Sequence, residues 1–286
     1  MAKKKLRDLV RMKQENKKVS WITAYDYQTA RIAEAVGVDM ILVGDSAGNN
    51  LLGYKSTIPV TMDEMIMLSG AVRRGAPNTL AVGDMPLGSY QASNSDAIYN
   101  ALRFIKETEM DCVKCEGGER VAERVKAMND AGIGVMGHIG YTPQSTNLTG
   151  VVQSKLDNFK RLYNDAFALQ EAGACAILLE AVPNKPAGYI AQALDIPIYG
   201  IGAGREVDGV LAIVNDVIGL GDFKAKFVKN FCNVEEVMKQ GIGKYIEAIK
   251  QNEFPGDQQL YPIKEENLKE IEQYFESTEK IRKSSL

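Results

Sequence analysis

The sequence lacks the features that mark membrane, secreted and nucleic-acid-binding proteins. It has no apolar run of about 18 residues, the length that a membrane-spanning helix needs. No hydrophobic stretch follows the basic residues 1–18, so we expect no secretory signal and a cytoplasmic location. The 34 Lys and Arg against 37 Asp and Glu give a net charge of −3. This charge balance is not that of a nucleic-acid binder.

Cysteine, histidine and nucleotide-binding motifs are also scarce. The chain has four cysteines and one histidine, His138. Cys112 and Cys115 form a CxxC, but no second CxxC or histidine pair accompanies it, as a zinc site requires. Residues three apart in a strand point to opposite faces, so we expect both to be packing cysteines. No GxxxxGK phosphate loop occurs, and GIGAG (200–204) lacks the GxGxxG spacing of a dinucleotide site.

Short apolar runs alternate with longer amphipathic segments along most of the chain. We expect eight strands, at 21–24, 40–44, 79–83, 112–116, 133–137, 175–180, 196–201 and 215–220. The segment EVDGVLAIV (206–214) is typical of the helix before the last strand. Strict alternation predicts a parallel sheet with right-handed crossovers, and eight strands fit an α/β fold of the (β/α)₈ barrel type. A doubly wound open sheet is the alternative, but it usually has fewer strands and a nucleotide fingerprint.

The pattern changes after Asn230. VEEVMKQGIGKYIEAIKQ and KEENLKEIEQYFESTEKIRK predict two helices joined by a turn-rich connector. Apolar residues recur at helical spacing in the last helix, so we expect it to pack on the barrel or on a neighbouring subunit. We therefore expect a barrel catalytic domain over residues 1–255 and a C-terminal helical tail over residues 256–286.

Polar and ionisable residues stand where the predicted strands end. The first strand leads into Tyr25 and Asp26, and the next five lead in turn into Asp45 and Ser46, Asp84, Lys114 and Glu116, His138, and Glu180. Active sites of (β/α)₈ barrels lie at these carboxyl ends of the strands. Ionisable groups are costly to bury there unless they pair or bind a metal. The set predicts an active site, with helix capping or mutual ion pairing as the alternative for any single residue.

Three carboxylates of this set, Asp45, Asp84 and Glu116, suit a hard cation. Carboxylate oxygens without a Cys/His cluster favour Mg²⁺ over Zn²⁺. The alternative is a carboxylate cluster balanced by Lys114, which shares one strand face with Glu116. Because it points to the same place as Glu116, Lys114 would act as an electrostatic clamp or as an amine nucleophile.

Two further residues are candidates for proton transfer. Glu180 follows the apolar residues AILL, and burial there would raise its pKa and suit it to general acid–base catalysis. A buried Glu held by a backbone amide is the alternative. His138 closes a strand of the same ring, where a structural role and contact with the ligand are equally plausible.

Nine short motifs, taken together, are specific to one enzyme family. They run in order along the chain: ITAYD (22–26), LVGDS (42–46), STIPVT (56–61), AVRRGAPN (71–78), VKCEGG (113–118), GHIGYTPQS (137–145), LLEAVP (178–183), IPIYGIGAG (196–204) and KNF (229–231). The set resembles the ketopantoate hydroxymethyltransferase (3-methyl-2-oxobutanoate hydroxymethyltransferase) family. The resemblance implies a TIM barrel of the phosphoenolpyruvate/pyruvate type with a C-terminal helical extension, assembled as a homodecamer.

The resemblance also implies an activity. A hydroxymethyl group would pass from 5,10-methylenetetrahydrofolate to 3-methyl-2-oxobutanoate through a Mg²⁺-stabilised enolate, giving 2-dehydropantoate for pantothenate biosynthesis. Carried over by motif, Asp45 of VGDS and Asp84 of VGD are direct metal ligands, and Glu116 of KCEGG completes the metal site. Glu180 of LLE is the catalytic proton-transfer residue.

The same resemblance implies a site for the 2-oxo acid. Ser46 and Lys114 would hold it, beside Asp45, Asp84 and His138. After GHIGYTPQS the family commonly has a glycine-rich stretch, whereas this chain has LTGVVQSKLD (148–157), which we expect to form part of a lid. This departure leaves open a paralogue that acts on another 2-oxo acid or takes another one-carbon donor. Independently, Lys114 leaves open an aldolase or lyase acting on another 2-oxo acid through a Schiff base. A catalytically silent barrel with a binding or assembly role is a further alternative.

Overall fold

Eight parallel strands close into a barrel in chain order. The computed structural model describes residues 3–145, 155–221 and 225–284. The strands are β1 Val19–Thr23, β2 Met40–Val43, β3 Leu80–Asp84, β4 Cys112–Glu116, β5 Val135–Gly140, β6 Ala176–Glu180, β7 Ile198–Ile201 and β8 Gly209–Ala212. Each strand pairs with the next, and β8 pairs with β1 in parallel. The structure confirms the predicted (β/α)₈ barrel and excludes the open sheet.

Helices connect most of the strands and precede and follow the barrel. They are α1 Leu6–Gln14, α2 Tyr27–Ala35, α3 Ala47–Asn50, α4 Met62–Gly75, α5 Asn94–Thr108, α6 Glu119–Asp130, α7 Leu156–Glu171, α8 Asn184–Ala193 and α9 Val214–Ile218, with a 3₁₀ turn at Pro143–Ser145. Local signals fix their starts. In α4, for example, Thr61 Oγ1 accepts from the Glu64 N–H at 3.2 Å, and Glu64 Oε2 accepts from the Thr61 N–H at 2.7 Å. This capping box satisfies amide groups that a helix otherwise leaves unpaired.

Two apolar layers hold the barrel together. Side chains alternate along each strand, so one set fills the lumen and the other packs under the helices. In the lumen, the rings of Trp21 and Tyr199 meet edge to face with their centroids 5.6 Å apart. Cys112 belongs to the lumen cluster and Cys115 to the outer one, and both are buried and free. The prediction that they are packing cysteines on opposite faces is confirmed.

The prediction for the last strand is wrong. Residues 209–212, assigned to a helix, form β8, and residues 215–220, assigned to a strand, lie largely in α9. A four-residue strand is too short for periodicity to separate it from a helix. Pairing decides the structure here: a Cβ on Gly209 would lie 2.4 Å from the carbonyl oxygen of Val19, so this glycine allows β8 to approach β1. Gly219, with φ 68°, then ends α9.

Strand β5 also differs from its prediction. It covers Val135–Gly140 rather than 133–137. Gly132 has φ 82° and closes the turn after α6, which delays the start of the strand. His138 therefore lies within β5, paired in register with Glu116 of β4.

Residues 234–286 form a second compact unit, and residues 1–233 form the first. The second contains α10 Val234–Lys250, a 3₁₀ turn at Asp257–Gln259 and α11 Glu265–Ser284, which confirms both predicted helices. The domain boundary expected after residue 255 stays a prediction. None of the described helices combines the length and apolarity required to span a lipid bilayer.

Candidate active site

A cavity of about 570 Å³ opens at the carboxyl ends of the strands. The candidate residues that line it are Asp45, Ser46, Asp84, Lys114, Glu116, His138 and Glu180. The prediction that these side chains converge is confirmed. Asp26 is not among the lining residues: its carboxylate accepts from the Thr29 N–H at 2.9 Å and caps α2.

Lys114 is the charged centre of the cavity floor. Its Nζ lies 2.7 Å from Asp84 Oδ1 and 3.9 Å from Glu116 Oε1, and its side chain is buried. Burial acts to lower the pKa of Lys114, but the charges of Asp84, Glu116 and Asp45 outweigh it and raise that pKa above its ordinary value. A Schiff-base nucleophile needs a neutral amine, so this environment favours the role of clamp over that of nucleophile.

Asp45 and Asp84 are adjacent buried carboxylates. Asp84 Oδ2 accepts from the Asp45 N–H at 3.0 Å. Burial raises the pKa of Asp45 well above its usual range, and the negative charges of Asp84 and Glu116 raise it further. Burial also raises the pKa of Asp84, against the opposing charge of Lys114. Both carboxyl groups therefore keep a proton more readily than usual, and a bound cation would take the place of such a proton.

Glu116, His138 and Glu180 form a chain across β4, β5 and β6. His138 Nδ1 lies 3.4 Å from Glu116 Oε1, and His138 Nε2 lies 3.2 Å from Glu180 Oε2. Burial and the Lys114 charge lower the pKa of His138, but the two carboxylates outweigh them and raise it to about 9. Burial likewise opposes ionisation of Glu116, yet contacts with His138 and Lys114 lower its pKa. His138 therefore lies between two carboxylates that favour its protonation, while Lys114 Nζ, 3.4 Å from its Nδ1, opposes it.

Glu180 is less buried than the apolar run before it suggests. Its side chain is 19% exposed at the cavity, so the carboxylate is only partly buried. The reason is its position as the last residue of β6, where the side chain reaches beyond the packed lumen. This partial exposure leaves the carboxylate accessible to a ligand in the cavity.

Ser46 and Tyr25 form a hydroxyl pair beside Asp45. Their side-chain oxygens lie 2.9 Å apart. Tyr25 is buried, and burial raises its pKa to about 12, so it stays a neutral hydrogen-bonding group. Ser46 precedes α3 and faces the cavity, which places a hydroxyl where a ligand oxygen could be bound.

Gln144 and Tyr90 are site residues that the sequence predictions missed. Gln144 Nε2 donates to Asp45 Oδ2 at 2.8 Å, and its backbone N–H donates to Glu116 Oε2 at 3.0 Å. Tyr90 Oη donates to Gln144 Oε1 at 2.8 Å and accepts from the Glu116 N–H at 2.9 Å. Both are buried. Gln144 holds the carboxylates of Asp45 and Glu116, and Tyr90 holds Gln144 and the backbone of Glu116. The sequence did offer one signal: Gln144 belongs to the motif GHIGYTPQS and lies four residues after the end of β5.

The chemistry of the donor set fits a hard divalent cation. All three candidate ligands offer carboxylate oxygens. Asp84 Oδ1 lies against Lys114 Nζ but receives no hydrogen bond of regular geometry from the described residues. Over residues 3–145, 155–221 and 225–284, no three His, Cys, Asp or Glu side chains already stand in a metal-binding arrangement. The assignment of Asp45, Asp84 and Glu116 as metal ligands stays a prediction.

The glycine-rich segment GIGAG and the predicted lid have different outcomes at the cavity. The glycines of GIGAG serve packing: a Cβ on Gly202, where φ is 62°, would lie 2.9 Å from the ring of Phe227. Ile201 and Phe227 both line the cavity. The lid prediction falls largely on residues 146–154, which lie outside the described residues.

Solved structures of similar fold share the whole barrel but little sequence. Phosphoenolpyruvate phosphomutase from Streptomyces platensis subsp. rosaceus matches with a TM-score of 0.59 at 15% identity, covering 97% of this chain and 99% of that one. A phosphonopyruvate hydrolase in complex with oxalate and Mg²⁺ matches with a TM-score of 0.59 at 12% identity, covering 98% of each chain. At such identities the likeness shows the fold alone, a (β/α)₈ barrel.

Sequence relatives are much closer. A 3-methyl-2-oxobutanoate hydroxymethyltransferase of Alkaliphilus metalliredigens (strain QYMF) is 51% identical over 268 residues, covering 92% of this chain and 95% of the relative. A protein of the same name from Clostridium botulinum (strain 657 / Type Ba4) is 46% identical over 264 residues, with 91% and 96% covered. The profile of the ketopantoate hydroxymethyltransferase family matches residues 3–257. The chain therefore belongs to the ketopantoate hydroxymethyltransferase family.

Proposed function

We propose that the protein transfers a hydroxymethyl group from 5,10-methylenetetrahydrofolate to 3-methyl-2-oxobutanoate, giving 2-dehydropantoate, and requires Mg²⁺. The names of its relatives support the reaction. The observation that carries the proposal is the buried Lys114 ammonium among Asp84, Glu116 and Asp45 at the floor of an open cavity. A fixed positive charge beside the substrate stabilises the negative charge that develops on a keto oxygen.

Asp45 and Asp84 would hold the Mg²⁺, with Glu116 completing the metal site. When bound, this ion supplies positive charge that polarises the keto group of the substrate. The fit rests on the oxygen donors and on the burial and neighbouring carboxylates that raise the pKa values of Asp45 and Asp84. Gln144 supports the arrangement, because its side chain and backbone donate to Asp45 and Glu116.

The residues around the metal site would bind the 2-oxo acid and move protons. Ser46 offers a hydroxyl to a ligand oxygen, and Lys114 offers charge to the oxygen that becomes an enolate. The reaction breaks the C3–H bond of the 2-oxo acid and both C–N bonds that hold the methylene carbon to N5 and N10 of the folate. The methylene carbon forms a bond to C3 and takes its hydroxyl group from water. Tetrahydrofolate leaves with one proton on each of N5 and N10, and these two protons balance the one lost from C3 and the one lost from water. Glu180, partly exposed and 3.2 Å from His138 Nε2, is placed to transfer protons during these steps.

The proposal is tested by proton NMR of 3-methyl-2-oxobutanoate in D₂O with the protein and Mg²⁺. We expect exchange of the C3 proton, which reports enolate formation, and its loss when EDTA removes the metal. Adding 5,10-methylenetetrahydrofolate should then give 2-dehydropantoate. Absence of exchange, or exchange that persists in EDTA, would contradict the proposed chemistry. A lysine trapped by borohydride would instead support the aldolase or lyase alternative.

We also propose that the protein assembles as a homo-oligomer, as the family resemblance implies, with a homodecamer as the specific expectation. The helix α11 exposes Ile271, Tyr274 and Phe275, which are 55%, 73% and 64% exposed. Contiguous exposed apolar side chains are typical of surfaces that bind other subunits. Light scattering during size-exclusion chromatography tests this, and a mass of one chain, 31.4 kDa, would contradict it.

A further inference from the structure

A second cavity, of about 490 Å³, lies beside the first. Ile58 and Glu116 line both cavities, so the two share a wall. The buried side chains of Tyr90 and Gln144 form the floor of the second cavity. These two residues also connect to Asp45 and Glu116, so the second cavity is built directly onto the supports of the first.

Two arginines, one helical turn apart on α6, give this cavity positive charge. Arg120 Nη2 donates to Ser145 Oγ at 2.6 Å, and its charge also acts on the carboxylate of Asp165. Arg124 Nη1 donates to Asn94 Oδ1 at 2.6 Å and lies 3.1 Å from Glu123 Oε2. Its Nε is buried and has no hydrogen-bond partner among the described residues. Two guanidinium groups therefore line the cavity, and Arg124 keeps a donor that no described residue accepts, which suits an anionic ligand.

The rest of the cavity is apolar. Ile58 and Leu87 are 44% and 37% exposed, although both are large hydrophobic side chains, and Val121 is buried behind them. Exposed apolar side chains beside arginines suit a ligand that has an aromatic ring next to carboxylates.

We infer, on the basis of the proposed function, that the second cavity binds the aromatic, carboxylate-bearing end of the one-carbon donor. A reduced folate has an uncharged two-ring end, which carries the methylene carbon, and a benzoyl-glutamate end with two carboxylates. The methylene end must enter the first cavity, where the 2-oxo acid reacts. In that cavity Lys114 is buried between Asp84 and Glu116, where it faces the oxygen of the 2-oxo acid that becomes an enolate. The arginine pair is the better match for the glutamate carboxylates.

The double variant Arg120→Gln/Arg124→Gln tests this assignment with two donors. One is 5,10-methylenetetrahydrofolate, and the other is 5,10-methylenetetrahydropteroate, which lacks the glutamate. We expect the KM for the folate donor to rise about tenfold or more, because charge-assisted hydrogen bonds are lost. The KM for the pteroate donor, the kcat at saturating donor, and the C3–H exchange rate with Mg²⁺ should stay at the wild-type values.

Arg103→Gln is the matched control. Arg103 lies on α5, where it pairs with Asp63 and Glu107 and lines neither cavity. Its variant should leave both KM values unchanged. Thermal unfolding shows whether the double variant folds, and Arg120→Gln alone replaces it if it does not. An unchanged KM for the folate donor, or an equal rise for both donors, would overturn the assignment. Absence of C3–H exchange with the wild-type protein and Mg²⁺ would instead overturn the proposed function.

Discussion

Gln144 donates from Nε2 to Asp45 Oδ2 at 2.8 Å, which ties a loop amide to a carboxylate of the active site. The same Nε2 donates to the Met85 carbonyl oxygen at 2.9 Å, and Gln144 Oε1 accepts from Tyr90 Oη at 2.8 Å. All of the polar atoms of this side chain are therefore engaged, so the amide has one favourable orientation. Asp45 is held in place before any ligand arrives.

Replacing Gln144 by Met should weaken divalent metal binding without unfolding the barrel. Residues that orient a metal ligand typically contribute 10- to 100-fold in affinity, so we expect a loss of about tenfold or more. Electron paramagnetic resonance of Mn²⁺ measures the affinity directly. Gln170→Met is the matched control, because Gln170 Oε1 accepts from the Asp195 N–H at 2.8 Å and Gln170 does not line the cavity. Wild-type Mn²⁺ affinity in a folded Gln144→Met protein would contradict this role.

The single histidine makes a pH prediction directly observable. In the metal-free protein we expect His138 to titrate near pH 9, because Glu116 and Glu180 stabilise its imidazolium. A raised pKa stabilises the folded state at a pH below the unfolded value of about 6.5, and this contribution is lost as the pH rises through about 9. Titration of the imidazole signal by NMR measures the pKa.

The Glu180→Gln variant supplies the comparison for that titration. Removing one of the two carboxylates should lower the pKa of His138, since Glu180 Oε2 lies 3.2 Å from its Nε2. The control is Glu123→Gln, which changes an exposed carboxylate on α6. Titration of the wild-type imidazole at or below pH 6.5 would show that the two carboxylates do not hold it protonated.

The polar residues at the strand ends were predictable because ionisable side chains are costly to bury beside apolar runs. Asp84, Lys114 and Glu116 interrupt or end apolar runs, and parallel strands of a barrel bring such ends to one face. Gln144 and Tyr90 were not predictable in this way. They lie outside the strands, and only tertiary contacts reveal that they support Asp45 and Glu116.

The last strand was missed for a different reason. Residues 209–212 form a strand because they close the barrel: Gly209 pairs with both Val19 and Tyr199. Four residues do not show a reliable period. The run that follows, residues 215–220, resembles a strand in sequence although most of it forms α9. Pairing across about 190 residues of sequence outweighs local pattern here.

Glu180→Gln should lower turnover while leaving binding of the 2-oxo acid largely intact. A general acid–base residue typically contributes about 10²–10⁴ in rate, so we expect a kcat decrease in this range. The side chain lies at the cavity but is not part of the Asp45–Asp84 pair, so the KM for 3-methyl-2-oxobutanoate should change little. Steady-state kinetics with both substrates measures the two effects. Wild-type turnover in the variant would reject the catalytic role.

Gly118→Ala should destabilise the barrel near the site. A Cβ at Gly118 would lie 1.9 Å from Asp165 Oδ1, which accepts from the Glu119 N–H at 2.8 Å and so caps the start of α6. Displacing this carboxylate removes a helix cap and forces α7 to move, with an expected loss of about 1–3 kcal/mol in the free energy of unfolding. Urea unfolding measures the loss.

Gly70→Ala is the contrasting variant for that measurement. Gly70 lies inside α4, and the nearest atom to its added Cβ is Arg74 Nη1 at 3.3 Å, the far end of a flexible side chain. Alanine in a helix interior should therefore raise the free energy of unfolding by about 0.5–1 kcal/mol. Opposite signs for the two substitutions would show that close packing against Asp165, rather than a general intolerance of Cβ atoms in the barrel, is what requires glycine at position 118. Equal stability of the Gly118→Ala and wild-type proteins would mean that Asp165 can leave the helix start without cost.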